Sequence, residues 1–356
     1  MNKILANHID RLLIDSGLFP TNQKPTEYSS NFNFAEETIL ITGAAGSIGS
    51  GLCKQLLTCK FKKLILVDMA ESPLYELIKE LEFENLERVE FLLLNIIEEE
   101  SVRHIFSKYK PSLIFHAAAY KHVPLMEENP YEAVKNNVFA TKLLADLSIE
   151  HSVKKFIFIS TDKAVNPVSV MGTTKLIGEK YLSSLNSKHK TAFFNARFGN
   201  ILGSNGSVIP LFKKQLENDM PITLTDRRMS RYFICKRKAC NLILKIALLN
   251  EKVHNTFTFN MGEPIRMVDM VERIIHMCNK QTQDIEIRYT GLRPGEKLDE
   301  DIISENEILI PTKIKDILAV KEKMGSEPKP IDLSELYRVT PYMPNTEITC
   351  VLKSYI

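Results

Sequence analysis

Ser160-Thr161-Asp162-Lys163 sets a hydroxyl, a carboxyl and an amine on consecutive residues directly after the apolar run Lys155-Phe-Ile-Phe-Ile159. An acid and a base at the carboxyl end of a buried strand can move protons on whatever lies in the crevice there. Further on, Met171 and Lys175 stand four residues apart, a spacing that puts both side chains on one helix face. A second feature, Gly43-Ala-Ala-Gly46-Ser47-Ile48-Gly49, lies between an apolar strand and a helix. Glycines there permit a tight turn and a close backbone approach to a pyrophosphate, whose charge the helix N-terminus favours. A redox cofactor beside an acid–base pair implies more than plain hydride transfer: oxidise, eliminate, reduce. The bland alternatives are a glycine-rich turn without a ligand and a solvated Asp-Lys pair.

The elements that must position these groups read as α/β. Buried strands are expected over 38–42, 64–68, 89–94, 112–116 and 155–160. Helices are expected over 47–57, 71–81, 101–109, 131–150 and 172–185. This alternation predicts a Rossmann-type, doubly wound parallel sheet. After Arg197 the pattern breaks into shorter pieces punctuated by Gly203, Gly206, Pro210, Pro221, Pro264 and Pro294. Residues 1–35 read as an N-terminal arm, with a short amphipathic helix over 8–15 and an extended stretch over 20–33. Residues 36–200 form the dinucleotide-binding domain, with 233–262 interleaved and Phe257–Asn260 as a further strand of its sheet. Residues 201–232 and 263–356 form a smaller α/β substrate-binding part, in which 301–356 carry no readable motif.

Composition narrows the function classes. The 356 residues carry 46 basic and 44 acidic side chains, a net charge of +2, which gives no case for nucleic acid. No apolar run approaches the ~20 residues of a membrane helix, and the start turns polar at Asn7-His8 before a leader core develops. The six cysteines form no CxxC pair, so no metal site is expected, and reduced thiols point to the cytoplasm. Asp68 closes the second strand, where a carboxylate accepts from ribose hydroxyls and repels a 2′-phosphate; Met69 rather than arginine follows. NAD is therefore favoured over NADP. Asn95 closes the third strand and is able to hydrogen-bond adenine.

The GxxGxxG spacing resembles that of short-chain dehydrogenase/reductases. More specifically, residues 36–300 resemble the CapD-like nucleotide-sugar 4,6-dehydratases of that superfamily, nearest the UDP-N-acetylglucosamine 4,6-dehydratases. The resemblance rests on Ile41–Gly49, His116-Ala117-Ala118-Ala119-Tyr120-Lys121-His122-Val123-Pro124, Asn137-Val138, Ser160–Pro167, Arg197–Gly203, Met229–Phe233 and Arg293-Pro-Gly-Glu296-Lys-Leu298. It departs from the superfamily's usual YxxxK, which here reads Met171-x-x-x-Lys175, a variant known within the family.

The resemblance implies NAD contacts at Gly43, Gly46, Ser47, Ile48, Gly49, Asp68, Asn95, Ala117, Ala118 and Lys175. It implies that hydride leaves C4 of the sugar while Thr161, relayed through Lys175, acts as base in place of the missing tyrosine. Lys163, kept partly neutral, would take the C5 proton and Asp162 would protonate the leaving C6 hydroxyl. Arg231 and Arg293 would clamp the diphosphate of a UDP-sugar, Glu296 would meet its ribose, Lys121 and Asn200 its sugar or phosphates, and Ser207 and Pro210 its uridine pocket. A homo-oligomer built on helices 131–150 and 172–185 is implied as well. C4 epimerisation, a 5,6-ene product and a non-catalytic NAD-binding module remain open alternatives, as does the stereochemistry at C5.

Overall fold

Runs of Val, Ile, Leu and Phe bounded by Gly, Asp and Pro give short strands that must be buried on both faces, and helices between them supply the cover. The computed structural model describes residues 1–19, 22–28, 32–186, 188–250, 254–323 and 330–356. Helix α1 (Lys3–Ser16) begins where Asn2 Oδ1 accepts from the Leu5 N–H. It is longer than the apolar stripe alone indicated. The winding core then runs β1 (Asn33–Thr42), α2 (Ser47–Leu57), β2 (Lys60–Asp68), α3 (Glu71–Glu80), β3 (Val89–Leu93), α4 (Glu99–Tyr109) and β4 (Leu113–His116). After α5 (Val123–Glu128) and α6 (Pro130–Ala133), a π-helical segment over Val134–Phe139 leads into α7 (Ala140–Glu150). Next come β5 (Lys155–Ile159), a single 3₁₀ turn at Asp162–Ala164, α8 (Val170–Leu185) and β6 (Ala192–Arg197).

The second half runs β7 (Asn200–Leu202), α9 (Val208–Glu217), β8 (Ile222–Leu224), β9 (Ser230–Arg231), β10 (Phe233–Cys235), α10 (Lys236–Leu248), β11 (Thr256–Phe259), β12 (Ile265–Arg266), α11 (Met267–Met277) and β13 (Ile287–Tyr289). It ends with β14 (Glu307–Pro311), β15 (Ile317–Glu322) and α12 (Asn345–Lys353). Among the described residues, nine strands make one sheet in the order β14-β15-β11-β6-β5-β4-β1-β2-β3. From β3 to β11 neighbours are parallel; β15 and β14 are added antiparallel. The order reverses between β1 and β4, so the crevice of this Rossmann-like fold opens at their carboxyl ends.

Apolar clusters cover both faces of the sheet, one with α2 and α10, the other with α4 and α7. A separate cluster joins α1, α9 and α11 with β8 and β10. Among the described residues no helix is long and apolar enough to cross a membrane.

Three expectations need correction. The single helix over 131–150 contains the π segment, and buried Asn137 within it donates and accepts with the Tyr120 backbone and donates to Thr174. A wider turn carries a polar side chain inward there, and periodicity alone does not signal that. Residues 263–356 do not form one part: β14 and β15 extend the main sheet, and α12 packs on α6 and α8. The strand expected from Thr38 begins at Asn33, with a register irregularity between Phe34 and Thr38. Of the expected arm, residues 20, 21 and 29–31 lie outside the described residues; Thr26 is bound to Asp15 and Arg11 of α1.

Arg197, at the end of β6, joins these additions. Its guanidinium donates to Glu179 on α8 and to Glu307 on β14, with N–O distances of 2.7 to 3.0 Å, all largely buried. Arg197→Ala leaves two carboxylates without their cation and is expected to cost about 3–5 kcal/mol. Denaturant unfolding checks this against Arg288→Ala, which breaks an exposed, solvent-screened pair with Glu286 and should leave the midpoint almost unmoved.

Candidate functional site

The chain leaves β1 at Gly43 with φ 67°, and α2 starts at Ser47 with Gly46 as its cap. A Cβ on Gly43 would fall 2.6 Å from the Ala118 nitrogen, and one on Gly49 would fall 2.1 Å from the Gly43 carbonyl oxygen. The glycines thus let the loop press against Ala117-Ala118 beyond β4 and let α2 press against the loop. The result is a cradle of backbone N–H groups at a helix N-terminus, the arrangement that receives a phosphate. A cleft of about 340 Å³ opens here, lined by Gly43, Gly46, Asp68, Ala118, Tyr120 and Asn205 among others.

Asp68 lies at the rim of this cleft, accepting from the Ala45 and Ala70 N–H groups at 2.9 Å each. Asn95 accepts from the Ile97 N–H at 3.2 Å, shaping the turn before α4, and does not line the cleft. Ile48 is half-buried against the apolar cluster under α2. Ser47 Oγ accepts from the Asn205 N–H, and Lys121 Nζ donates to the Asn205 carbonyl, both at 2.9 Å. The loop between β7 and α9 is therefore tied across the cleft from two sides. Burial lowers the Lys121 pKa.

The turn after β5 gathers the proton-moving groups. Thr161 Oγ1 donates to Asp162 Oδ1 at 2.9 Å, and Lys163 Nζ donates to the same oxygen at 3.1 Å. Lys163 Nζ also reaches Asn200 Oδ1 at 3.3 Å and Glu300 Oε1 at 3.3 Å. The Asp162 side chain is 1% exposed and that of Lys163 is 22% exposed. Asp162 Oδ2 and Glu300 Oε2 are both buried without a partner among the described residues, so each keeps an acceptor for a proton or a ligand hydroxyl. Burial disfavours the Lys163 ammonium, but the charges of Asp162 and Glu300 outweigh it against Arg231, and its pKa is raised. The two carboxylates thus favour the ammonium form of Lys163 rather than the partly neutral one expected. Burial also raises the Glu300 carboxyl, against the pull of Lys163.

Met171 is buried in an apolar cluster with Val134, Val138 and Ile177. Lys175 behaves oppositely to Lys163. It is 4% exposed, its Nζ lies 3.8 Å from the centre of the Phe158 ring, and burial lowers its pKa to about 7 with Glu179 in partial opposition. His116 is fixed between Thr42 at 2.7 Å and Thr141 at 2.9 Å, and burial and then Lys175 keep it neutral.

The substrate-side residues are dispersed. Arg231 is buried, with its guanidinium donating to the carbonyls of Ser230, Lys297 and Leu298 at 2.6 to 2.8 Å. Those bonds fold the 297–300 segment over the turn, where Lys297 Nζ also meets the Val165 carbonyl at 3.0 Å. Arg293 is exposed, and its N–H donates to Glu296 Oε2 at 3.1 Å. The Ser207 hydroxyl is buried without a partner among the described residues, and Pro210 sits in the first turn of α9. Sequence reading missed Glu300. Its only signal was its place two residues after Arg293–Leu298, between two other acids.

Residues 39–322 match the family model described as polysaccharide biosynthesis protein, and the chain belongs to that family. It is 44% identical over 275 residues to the capsular polysaccharide biosynthesis protein CapD of Staphylococcus aureus, covering 76% of this chain and 46% of CapD. The chain thus spans about half the length of that relative. It is 30% identical over 306 residues to the UDP-N-acetylglucosamine 4,6-dehydratase (inverting) of Campylobacter jejuni, covering 85% of this chain and 87% of that one. The solved structure of Pen from Bacillus thuringiensis aligns with a TM-score of 0.74 at 30% identity, over 83% of this chain and 92% of that chain.

The low pKa of Lys175 has a measurable consequence. An unfolded lysine keeps its proton to about pH 10.4, whereas Lys175 in the fold loses it near about 7. Between these values the unfolded state binds more protons, so this group makes stability rise with pH. Lys175→Met removes that slope. The variant should be the more stable protein below about pH 7, and its advantage should shrink by on the order of 1.4 kcal/mol per pH unit above it. Denaturant midpoints of the ligand-free proteins test this, and parallel pH curves would contradict it.

Proposed function

We propose that this member of the polysaccharide biosynthesis family is an enzyme, a hydro-lyase that removes water from UDP-N-acetylglucosamine and yields a UDP-4-keto-6-deoxy sugar. The observation that carries the reading is the pair of buried Asp162 and half-buried Lys163 at the carboxyl end of β5, beside Thr161 and Asn200. A fold that only bound a dinucleotide, or only inverted C4, has no use for a second acid and base there. The activity in the name of the Campylobacter jejuni relative supports the same reading.

The glycine loop fits a dinucleotide, since Gly43 and Gly49 let the loop and the start of α2 fold closely enough to present backbone N–H groups to a phosphate. Gly43, Gly46, Ser47, Ile48, Gly49, Ala117 and Ala118 would hold the pyrophosphate and adenosine, with Asp68 on the ribose favouring NAD over NADP. A bound NAD would supply the hydride acceptor for C4 of the sugar and the hydride donor for C6. Thr161 Oγ1 would take the O4 proton as its own hydroxyl proton passes on to the neutral amine of Lys175; a pKa of about 7 suits that task. Met171 contributes shape alone. Oxidation at C4 acidifies the C5 proton, which Lys163 removes once its own proton has moved to Asp162. Asp162 then donates to the departing C6 oxygen, and Lys163 gives a proton back to C5 when hydride reaches C6.

Arg293, whose side chain is exposed, would pair with the diphosphate as guanidinium geometry allows. Arg231 acts by shaping the 297–300 segment. Lys121, Asn200, Ser207, Pro210 and Glu296 complete the sugar and uridine contacts. The protein works in the cytoplasm as a homo-oligomer.

The test is incubation with UDP-N-acetylglucosamine in deuterated water, read by mass spectrometry and proton NMR. Loss of one water with deuterium at C5 is the expected result, and the C6 signal distinguishes a methyl group from a 5,6-ene. Asp162→Asn and Lys163→Ala should each lower the rate by about 10²- to 10⁴-fold. Unchanged sugar, or variants at the wild-type rate, would overturn the reading.

A further inference from the structure

Lys163 carries one positive charge, yet two buried carboxylates reach for it. Asp162 lies 3.1 Å away on its own turn, and Glu300 lies 3.3 Å away on the segment that Arg231 folds over the site. Arg231 on β9 is the remaining charge that acts on Lys163, and it is spent on three backbone carbonyls. The cluster is therefore an Asp, a Glu, a Lys and an Arg, balanced when all are ionised. For the proposed reaction one proton must move. An N–H bond of Lys163 breaks and an O–H bond forms on Asp162, which turns the pair into a neutral base and a neutral acid. After that move the two charges that remain in the cluster are Glu300 and Arg231, and they offset each other.

We propose that Glu300 is a positioning residue, the fixed counter-charge that holds the Lys163 head between Asp162 and Asn200 and sets its affinity for the proton it exchanges. This rests on the dehydratase reading for its role in turnover, but its effect on Lys163 does not. With Glu300 absent, Lys163 would face Arg231 with only Asp162 in opposition, and the amine would give up its proton too readily to return it to C5.

Two measurements on Glu300→Gln test this. The first needs no sugar: competitive acylation of amines across a pH series, read on the peptide that carries Lys163. Removing an opposite charge at this distance lowers a lysine's titration point by about one to three pH units, so the variant should acylate at lower pH. An unchanged titration point would overturn the proposal. The second is turnover of UDP-N-acetylglucosamine. The variant should lose tenfold or more in kcat with KM within about twofold, and the limb of the pH profile that reports Lys163 should move to lower pH. Glu300→Asp, which keeps the charge on a shorter stem, should give intermediate values in both. It serves the same comparison if the glutamine variant does not fold. Loss of rate with an unmoved pH limb would mean a merely structural role. If wild-type protein leaves the sugar unchanged, the dehydratase reading fails, while the acylation series still decides whether Glu300 governs Lys163.

Discussion

The first turn of α8 lies against the backbone that follows β5, and the geometry of the site depends on that contact. A Cβ on Gly172 would fall 2.2 Å from the Lys163 carbonyl oxygen, so no other residue lets the helix come so near. Ser169 caps the helix by accepting from the Gly172 N–H at 3.0 Å. On the other side, the Asp162 N–H donates to the Phe198 carbonyl at 3.1 Å, and the Val165 N–H donates to the Asp162 carbonyl at 2.9 Å. The turn is thereby held from β6 and from α8 at once. Asp162 and Lys163 have little freedom left, and Lys175, one helical turn beyond Met171, is carried in beneath Phe158. Preorganisation here is a packing property, set by a glycine and a few backbone bonds.

Two lysines from the same stretch of chain end in opposite electrostatic states, and the reason is local. Burial disfavours the charge on both. Lys163 has carboxylates within 3.1 and 3.3 Å that more than offset the loss of water. Lys175 has an aromatic face, a cation–π contact, and a glutamate whose carboxylate is already committed to Arg197. A cation–π contact is worth only about 0.5–2 kcal/mol, too little to hold a proton on an otherwise dry amine. One strand end thus offers a strongly held proton and a weakly held one, the separation that stepwise acid–base chemistry requires.

What could be read from the sequence follows the range of the forces involved. The parallel strands, the glycine turn and the acid–base turn are written in local runs: Ile39-Leu-Ile41, Leu64–Val67 and Phe156–Phe158 are buried on both faces and bounded by turn residues. Asp162 and Lys163 were visible because they are adjacent. Glu300 was not, because it meets Lys163 only after Arg231 has drawn in the 297–300 segment. The same holds for β14, whose Glu307 reaches Arg197 across 110 residues. The π segment escaped notice since one extra residue in a turn leaves apolar spacing almost unchanged, and only the inward Asn137 marks it.

The segment that carried no motif alters how the helices around the site can be used. Leu333, Leu336, Val339, Ile348 and Leu352 are buried in one cluster with Val134, Val138 and Ile177 of the π segment and α8. Tyr337 stacks on Phe139 at 4.8 Å, Lys180 donates to the Tyr355 carbonyl at 2.6 Å, and Asn345 donates to the Glu128 carbonyl at 2.9 Å. The helices over 131–150 and 172–185, which the family resemblance marked as an oligomer face, are thus partly covered by the chain's own C-terminal residues. Each of those apolar side chains gains about 1.5–3 kcal/mol on burial. A second copy that used this face would have to displace several of them and bury at least as much in return. The C-terminal residues thus take up part of the apolar surface of these helices, and Met171, in the same apolar cluster, is shielded by the chain itself.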